Sequence, residues 1–195
     1  KSDSLKRKFE PYHIPGSENS EIWLVSEKNK NSCWATDYTQ KKLYRFQPER
    51  DSFMVMIEGY TSESILEDDN GYWICTIEQG LLHYNPHKDS IKLYTKRDGL
   101  PSNEVMDILP GESNIYWVAT RKGITKFNAL TQTFNNEGLP KGYFHPSSFK
   151  SRNGQLFFGA SEGLFSFYPN EVNGNPFPPQ IVVKNLQISG EAFSL

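Results

Sequence analysis

The strongest constraint on the fold of this chain is an internal repeat of about 40 residues. Each copy contains a short aromatic strand, a polar turn and a second alternating strand, as in residues 71 to 84. Four copies are present, and their anchors, Trp34, Trp73, Trp117 and Phe157, are 39, 44 and 40 residues apart. Strand repeats with a period of about 40 to 50 residues are typical of propeller blades. The repeat therefore predicts an all-β fold, a β-propeller fragment of about four four-stranded blades.

The limits of the repeat divide the chain into four parts. Residues 20–168 hold the four blades, and residues 1–19, which alternate faintly, are expected to form the outer strand of a preceding blade. Residues 169–179 are rich in proline, which cannot donate to a strand ladder, so we expect an extended connector there. Residues 180–195 alternate again and are expected to begin a following domain.

Composition excludes several classes of partner. The 21 basic and 23 acidic residues give a net charge of −2, which does not favour nucleic acid or an anionic membrane. No apolar run approaches the roughly 18 to 20 residues needed to cross a bilayer, so we expect no direct membrane insertion of this fragment. Cys33 precedes its repeat tryptophan by one residue and Cys75 follows its own by two, so both suit buried packing positions and no mutual disulfide is expected.

The motifs that suggest catalysis or metal binding all fail on their context. Gly159-Ala-Ser-Glu-Gly163 has the hydrolase spacing, but a strand and not a helix follows Ser161. His83 and His87 are too few for zinc, and the turn from Asp68 to Gly71 lacks the ligand spacing of a calcium loop. A glycosidase would need two converging carboxylates, and the sequence nominates no pair. We therefore expect no catalytic residue, no metal and no cofactor.

The repeated tryptophans have two interpretations. Aromatic rings can stack on sugars, but a propeller also needs large rings to fill the wedge between neighbouring blades. Because Trp34, Trp73 and Trp117 hold the same place in each repeat, we expect them to pack between sheets.

Binding residues are expected on loops at one face of the blades. In a four-stranded blade, the loops between blades and those between the second and third strands emerge together, and such loops carry function on a rigid scaffold. Side chains there offer flat rings, an amide and basic groups that suit a polar ligand. The candidate ligand-binding residues are Tyr38, Tyr60, Asn103, Arg121, Lys122, Tyr143 and His145.

The repeat unit resembles a known family. The string Trp-Ile-x-Thr-x-x-x-Gly-Leu-x-x-Tyr at residues 73–84, with Asp98-Gly-Leu-Pro-Ser-Asn103 before the next strand, is similar to the two-component regulator propeller repeat. Residues 158–169 and 178–188 resemble the junction at which the last blade of that family enters an Ig-like, triple-tyrosine domain. The first copy departs from the pattern, because it has no glycine where Gly80, Gly123 and Gly163 stand, and its turn must differ.

This resemblance implies a function that is not enzymatic. Such propellers form the periplasmic sensor region of hybrid two-component histidine kinases of Bacteroidetes, so the resemblance implies a periplasmic, ligand-sensing fragment that responds to an oligosaccharide. The expected partners are the remaining propeller blades, the Ig-like domain and a second copy in a homodimer, and any histidine kinase would lie elsewhere in the parent. The alternative is a structural or protein-interaction propeller that dimerises without a small ligand.

Overall fold

The structure is a computed structural model that describes residues 14, 16–26, 33–172, 186–188 and 191–193. Four antiparallel sheets follow one another along these residues, and a separate two-stranded ribbon lies near the C-terminus. The strands of each large sheet are neighbours in chain order, so each sheet is a simple meander. This is the blade architecture that the repeat predicts.

The first two sheets have four strands each. The first contains β1 (Ile22–Ser26), β2 (Cys33–Asp37), β3 (Lys42–Gln47) and β4 (Ser52–Glu58). The second contains β5 (Ser62–Asp68), β6 (Gly71–Thr76), β7 (Leu81–Asn85) and β8 (Ser90–Tyr94). Short 3-10 turns at Pro48–Arg50 and Lys96–Asp98 lie before β4 and after β8.

The third sheet also has four strands, and the fourth differs from the expectation. The third contains β9 (Val105–Pro110), β10 (Ile115–Thr120), β11 (Gly123–Asn128) and β12 (Thr133–Asn135). The fourth contains β13 (Phe144–Lys150), β14 (Leu156–Ala160) and β15 (Gly163–Phe167). Four strands were expected in every blade, but between Gly163 and Val172 the chain passes from β15 into a turn at Pro169, which has no amide hydrogen to donate.

The predictions for the two ends of the chain, the outer strand in residues 1–19 and the segments after residue 168, fall largely on residues outside the described part. The outer strand expected in residues 1–19 lies almost wholly outside the described residues, although Ile14 is buried against Ala35 and Tyr44 of the first sheet. Near the C-terminus, β16 (Leu186–Ile188) pairs with β17 (Glu191–Phe193), within the stretch expected to start another domain. Most of the proline-rich connector also lies outside the described residues. No helix in the described part of the chain is long and apolar enough to cross a membrane.

The core consists of apolar clusters between successive sheets. Trp34 of the first sheet packs with Ile65 and Ile74 of the second, and Trp73 of the second packs with Val105 and other residues of the third. Trp117 packs in the same way against the fourth sheet. All three side chains are at least 96% buried. The prediction that these rings fill the wedge between blades is confirmed, and they are not exposed platforms for a sugar.

The cysteines and the first turn also agree with the sequence. Cys33 and Cys75 are free thiols, and Cys75 lies in the same cluster as Trp73, as alternation requires. In the later copies, Gly80, Gly123 and Gly163 adopt positive φ at the turn before the third strand. In the first copy Lys42 holds that position, and the positive φ, 54°, falls on Lys41 just before it. The Asp37 carboxylate accepts hydrogen bonds from the amides of Thr39 and Gln40.

Substituting Lys41 by glycine is expected to raise the free energy of unfolding by about 0.5 to 1 kcal/mol. A left-handed backbone is strained for lysine and not for glycine, and this gain exceeds the extra entropy of the unfolded glycine chain. Thermal unfolding followed by circular dichroism would measure the change. The matched control, Lys42→Gly, lies in β3 and should destabilise the protein. A destabilised Lys41→Gly variant would contradict the expectation.

Candidate functional site

The first part of the candidate site joins the first two sheets. The Tyr38 ring follows β2 and lies edge-on to the Trp23 ring, with 5.6 Å between centroids. The Tyr38 hydroxyl lies near the Glu63 carboxylate of β5 and can act as a donor to it. Burial, the negative charge of Glu63 and hydrogen bonding between the two raise the pKa of Tyr38 to about 12, so Tyr38 is a neutral donor at physiological pH.

Glu63 connects this pair to the third sheet. Burial raises the pKa of the Glu63 carboxyl, while the positive charge of Arg121 and the Tyr38 hydrogen bond act in the opposite direction. Arg121 follows β10, and its Nε lies 3.7 Å from the Glu104 carboxylate. Arg121 therefore lies among carboxylates from two sheets.

The fourth sheet adds two rings. The Arg121 guanidinium lies 4.2 Å from the centroid of Tyr143, a distance at which a cation is attracted to the face of an aromatic ring. Tyr143 is 46% exposed, and its ring lies edge-on to the His145 ring at 5.5 Å. His145 Nε2 in turn lies 3.2 Å from Ser161 Oγ.

These side chains lie at one face of the sheets. We refer to Tyr38, Glu63, Arg121, Tyr143 and His145 as the loop-face cluster. Its members come from all four large sheets: Tyr38 and Arg121 lie in turns between the second and third strands of their sheets, and the other three lie at or next to the start of a first strand. The cluster combines exposed aromatic rings with a guanidinium, a carboxylate and an imidazole, which suits a ligand with both apolar faces and hydroxyl or acidic groups.

Irregular pairing of the inner strands positions two members of the cluster. The register between β5 and β6 shifts between Ser62 and Ser64, so Glu63 is the extra residue of a bulge. The register between β13 and β14 shifts between Phe144 and Ser148, a segment that includes His145. Bulges redirect side chains and are common beside binding sites.

Gly159 makes room for the second of these irregularities. A Cβ atom at Gly159 would lie 2.3 Å from Ser147 Oγ in the irregular segment. The first glycine of the hydrolase-like motif therefore has a packing role. Ser161 lies in the exposed turn between β14 and β15, and a strand follows it, so the structure agrees with the expectation that this is no nucleophile elbow.

The remaining predicted residues lie apart from the cluster. Tyr60 is half-buried against the apolar core between the first two sheets. The Asn103 side-chain oxygen accepts a hydrogen bond from the Lys96 amide at 2.8 Å, which orders the loop between the second and third sheets. Lys122 is exposed in the turn beside Arg121. Four of the seven predicted residues thus lie in the cluster, and whether any of the seven binds a ligand stays a prediction.

Two acidic members of this surface were not predicted. Glu63 belongs to an alternating strand in the sequence, and no local pattern indicates a bulge there. Glu104 directly precedes β9, and its counterpart in the first sheet is Glu21, which directly precedes β1. In the described part of the chain, no group of three or more histidine, cysteine, aspartate or glutamate residues is placed to hold a metal ion.

A second polar feature lies on the opposite face, between the second and third sheets. The Asp68 carboxylate accepts hydrogen bonds from Trp73 Nε1 at 2.7 Å, from the Tyr116 hydroxyl at 2.6 Å and from the Asn70 amide at 2.7 Å. Burial alone would raise the pKa of Asp68, but the donors outweigh it and hold the pKa well below its usual range. His83 Nε2, at 4.0 Å, is beyond hydrogen-bond distance. Because Tyr116 belongs to β10, Asp68 joins two sheets.

A basic or imidazole side chain faces each repeated tryptophan. Arg45, His83 and Lys126 pair across the sheet with Trp34, Trp73 and Trp117 respectively. The Arg45 guanidinium and the Lys126 ammonium lie 5.9 and 5.8 Å from the indole centroids, and the His83 ring lies 4.2 Å from that of Trp73. The repeat alignment contains this pattern, since the three residues occupy the same position in each copy.

Comparison with known proteins gives one curated relative and several similar structures. No model of a known protein family matches the chain. Histidine kinase P4 of Formosa agariphila is 24% identical over 106 residues, which are 52% of this chain and 8% of the relative.

Two solved structures cover most of the chain. The extracellular domain of the one-component system BT4673 of B. thetaiotaomicron matches with a TM-score of 0.63 and 19% identity, over 84% of this chain and 25% of that one. The extracellular domain of the hybrid two-component system BT3049 of the same organism matches with a TM-score of 0.63 and 16% identity, over 99% and 35%. The chain thus spans about a third or less of the length of each of these three proteins. The resemblance expected from the repeats is confirmed: the chain has the fold found in extracellular domains of Bacteroides signalling systems.

Proposed function

We propose that the chain is the ligand-sensing propeller part of an extracytoplasmic receptor for two-component signalling, and that the loop-face cluster recognises an oligosaccharide. The observation that carries this proposal is that the cluster brings polar and aromatic side chains of four sheets to one face, with the Arg121 guanidinium over the Tyr143 ring. The fold match to extracellular domains of signalling systems supports a periplasmic, non-catalytic role. The kinase relative supports a histidine kinase elsewhere in the parent.

The chemistry of the cluster suits a sugar with acidic or vicinal hydroxyl groups. Tyr143 offers a half-exposed ring on which a pyranose can stack, and Arg121 offers a planar fork of donors. Glu63 and His145 add hydrogen-bonding groups on either side. Because these groups belong to different sheets, a ligand that contacts several of them would favour one packing of the blades over another. Such a difference can pass to a following Ig-like domain, for which residues 180–195 are the proposed start.

The test is a glycan array probed with the chain, followed by calorimetry on the best ligand. Arg121→Ala should weaken binding about tenfold or more, since a lost hydrogen bond to a charged partner costs about that much. The matched control is Lys122→Ala, because Lys122 is the exposed neighbour in the same turn, and its affinity should stay within about twofold. A chain that binds no glycan and does not change its association state would overturn the proposal.

A second candidate function is protein interaction without a small ligand. The observation that favours it is the exposure of large apolar side chains on the first and last large sheets, namely 55% for Trp23, 64% for Phe149 and 69% for Leu164. Exposed apolar side chains and open strand edges are common sites of association, including homodimerisation or contact with remaining blades. Light scattering distinguishes the two functions, because a chain that stays monomeric at every concentration contradicts assembly through these surfaces.

A further inference from the structure

The groove between the third and fourth sheets differs from its repeat counterpart in one chemical respect. Trp73 and Trp117 hold equivalent positions, and each indole makes an edge contact with a phenylalanine of the next sheet, at 5.4 Å for Phe127 and 5.0 Å for Phe167. Trp73 donates its indole hydrogen to Asp68. Trp117 is 1% exposed, and its Nε1 has no hydrogen-bond acceptor among the described residues.

The strand register explains why this acceptor is missing. Leu66 pairs with Trp73, and Leu109 pairs with Trp117, so Gly111 takes the place of Asp68 two residues further on. A Cβ atom at Gly111 would lie 2.9 Å from the Ile115 carbonyl oxygen, so no side chain fits there without a shift. The second donor of the other groove is also absent, because Leu156 stands where Tyr116 would be.

A cavity of about 340 Å³ lies at this place, and Trp117, Lys126 and Glu112 line it. The size is within the roughly 300 to 1,000 Å³ of small-molecule sites. The Lys126 ammonium lies over the indole ring, at 5.8 Å from the centroid. Lys150 lines an adjoining cavity of about 190 Å³ and donates to the Pro110 carbonyl oxygen at 2.9 Å. Two ammonium groups and one carboxylate therefore surround the groove, and their net charge is positive.

We propose that this groove binds a small organic carboxylate, whose oxygen takes the position that the Asp68 carboxylate occupies in the neighbouring groove. The indole hydrogen of Trp117 and the ammonium of Lys126 are the donors. Because the accessible area of Trp117 Nε1 is below 1 Å², a side chain must move aside as the ligand enters, and the flexible Lys126 over the ring is the proposed one. The site is separate from the loop-face cluster and does not depend on the sensor proposal.

The experiment follows the indole N–H signals of the tryptophans by NMR while acetate or lactate is added at constant ionic strength. The chemical shift of the Trp117 indole N–H should change and level off as the acid concentration rises. The Trp73 indole N–H should not respond, because it already donates a hydrogen bond to Asp68. Lys126→Met should weaken the affinity about tenfold, whereas Lys92→Met, on the neighbouring groove, should leave it within twofold. Trp117→Phe keeps an aromatic ring but has no indole signal, so its binding is measured by calorimetry; it should lose saturable binding, and Trp73→Phe should keep it.

Four results would overturn the proposal. The Trp117 signal does not respond to either acid, or the neutral analogue acetamide shifts it as strongly as acetate. Alternatively, Glu112→Gln shifts the Trp117 signal when no acid is present, which would mean that Glu112 already supplies the carboxylate. Circular dichroism on each variant separates lost binding from lost folding, and a folded Lys126→Met or Trp117→Phe variant that binds like the wild type would also contradict it.

Discussion

Replacing Asp68 by alanine is expected to lower the free energy of unfolding by about 3 kcal/mol at pH 7. The substitution removes the acceptor of the Trp73 indole hydrogen and the Tyr116 hydroxyl, and both donors lie between two sheets. A buried donor that loses a charged partner costs roughly 1 to 3 kcal/mol. Urea unfolding followed by circular dichroism would measure the loss. The control is Asp69→Ala, an exposed neighbour, which should change stability by less than about 0.5 kcal/mol.

The stability that Asp68 contributes should decrease as the pH falls. The pKa of Asp68 is lower in the folded protein than its ordinary value, so the folded state favours the charged carboxylate. Its contribution is therefore complete above the unfolded pKa of about 3.9 and is lost as the pH falls below that value towards the folded pKa. The difference between wild type and Asp68→Ala should be constant from pH 5 to 8 and should narrow below about pH 4. A difference that does not change down to pH 2 would contradict this account of Asp68.

Replacing Trp73 by alanine is expected to cost about 4 kcal/mol, in the range for large-to-small substitution of a buried aromatic residue. The indole is 96% buried and lies within 6.0 Å of the rings of Tyr94, Tyr116 and Phe127. Chemical unfolding would measure the loss. Trp23→Ala is the matched control, because Trp23 is 55% exposed, and it should cost less than about 1 kcal/mol. If Trp73→Ala retained wild-type stability, the ring would not be the wedge between the sheets.

The two substitutions should not be additive. Trp73→Ala already removes one hydrogen bond of Asp68, so the double variant should lose less than the sum of the single losses. Trp73→Phe keeps most of the packing and removes the indole donor, which separates the two contributions if the alanine variant does not fold.

The sequence predicted the sheets well because their signal is repeated. A glycine turn, an aromatic strand and a linker recur at the same spacing, and each copy supports the strand assignment of the others. The fourth blade has three strands among the described residues, since the chain enters a turn at Pro169 after β15.

The candidate site was predicted only in part. Loop position identified Arg121, Tyr143 and His145, because the place of a loop follows from the order of strands. Glu63 was missed because a bulge redirects it, and a bulge depends on pairing between strands and not on local sequence. Asn103 was placed with the site, but its side-chain oxygen accepts a hydrogen bond from the Lys96 amide and orders a loop. The acceptor missing at Trp117 required the strand register, which no single copy of the repeat shows.

The Asp68 hydrogen bond to Tyr116 has a consequence for how strain travels through this protein. Each sheet packs on the sheets next to it, so the energetics are close to those of a one-dimensional chain with nearest-neighbour coupling. The three interfaces between successive sheets are chemically unequal: the first has an arginine over its rings, the second is joined by the Asp68 carboxylate, and the third has Gly111 in place of that carboxylate. A force applied at either end should therefore first displace the fourth sheet relative to the third. The second and third sheets should move together.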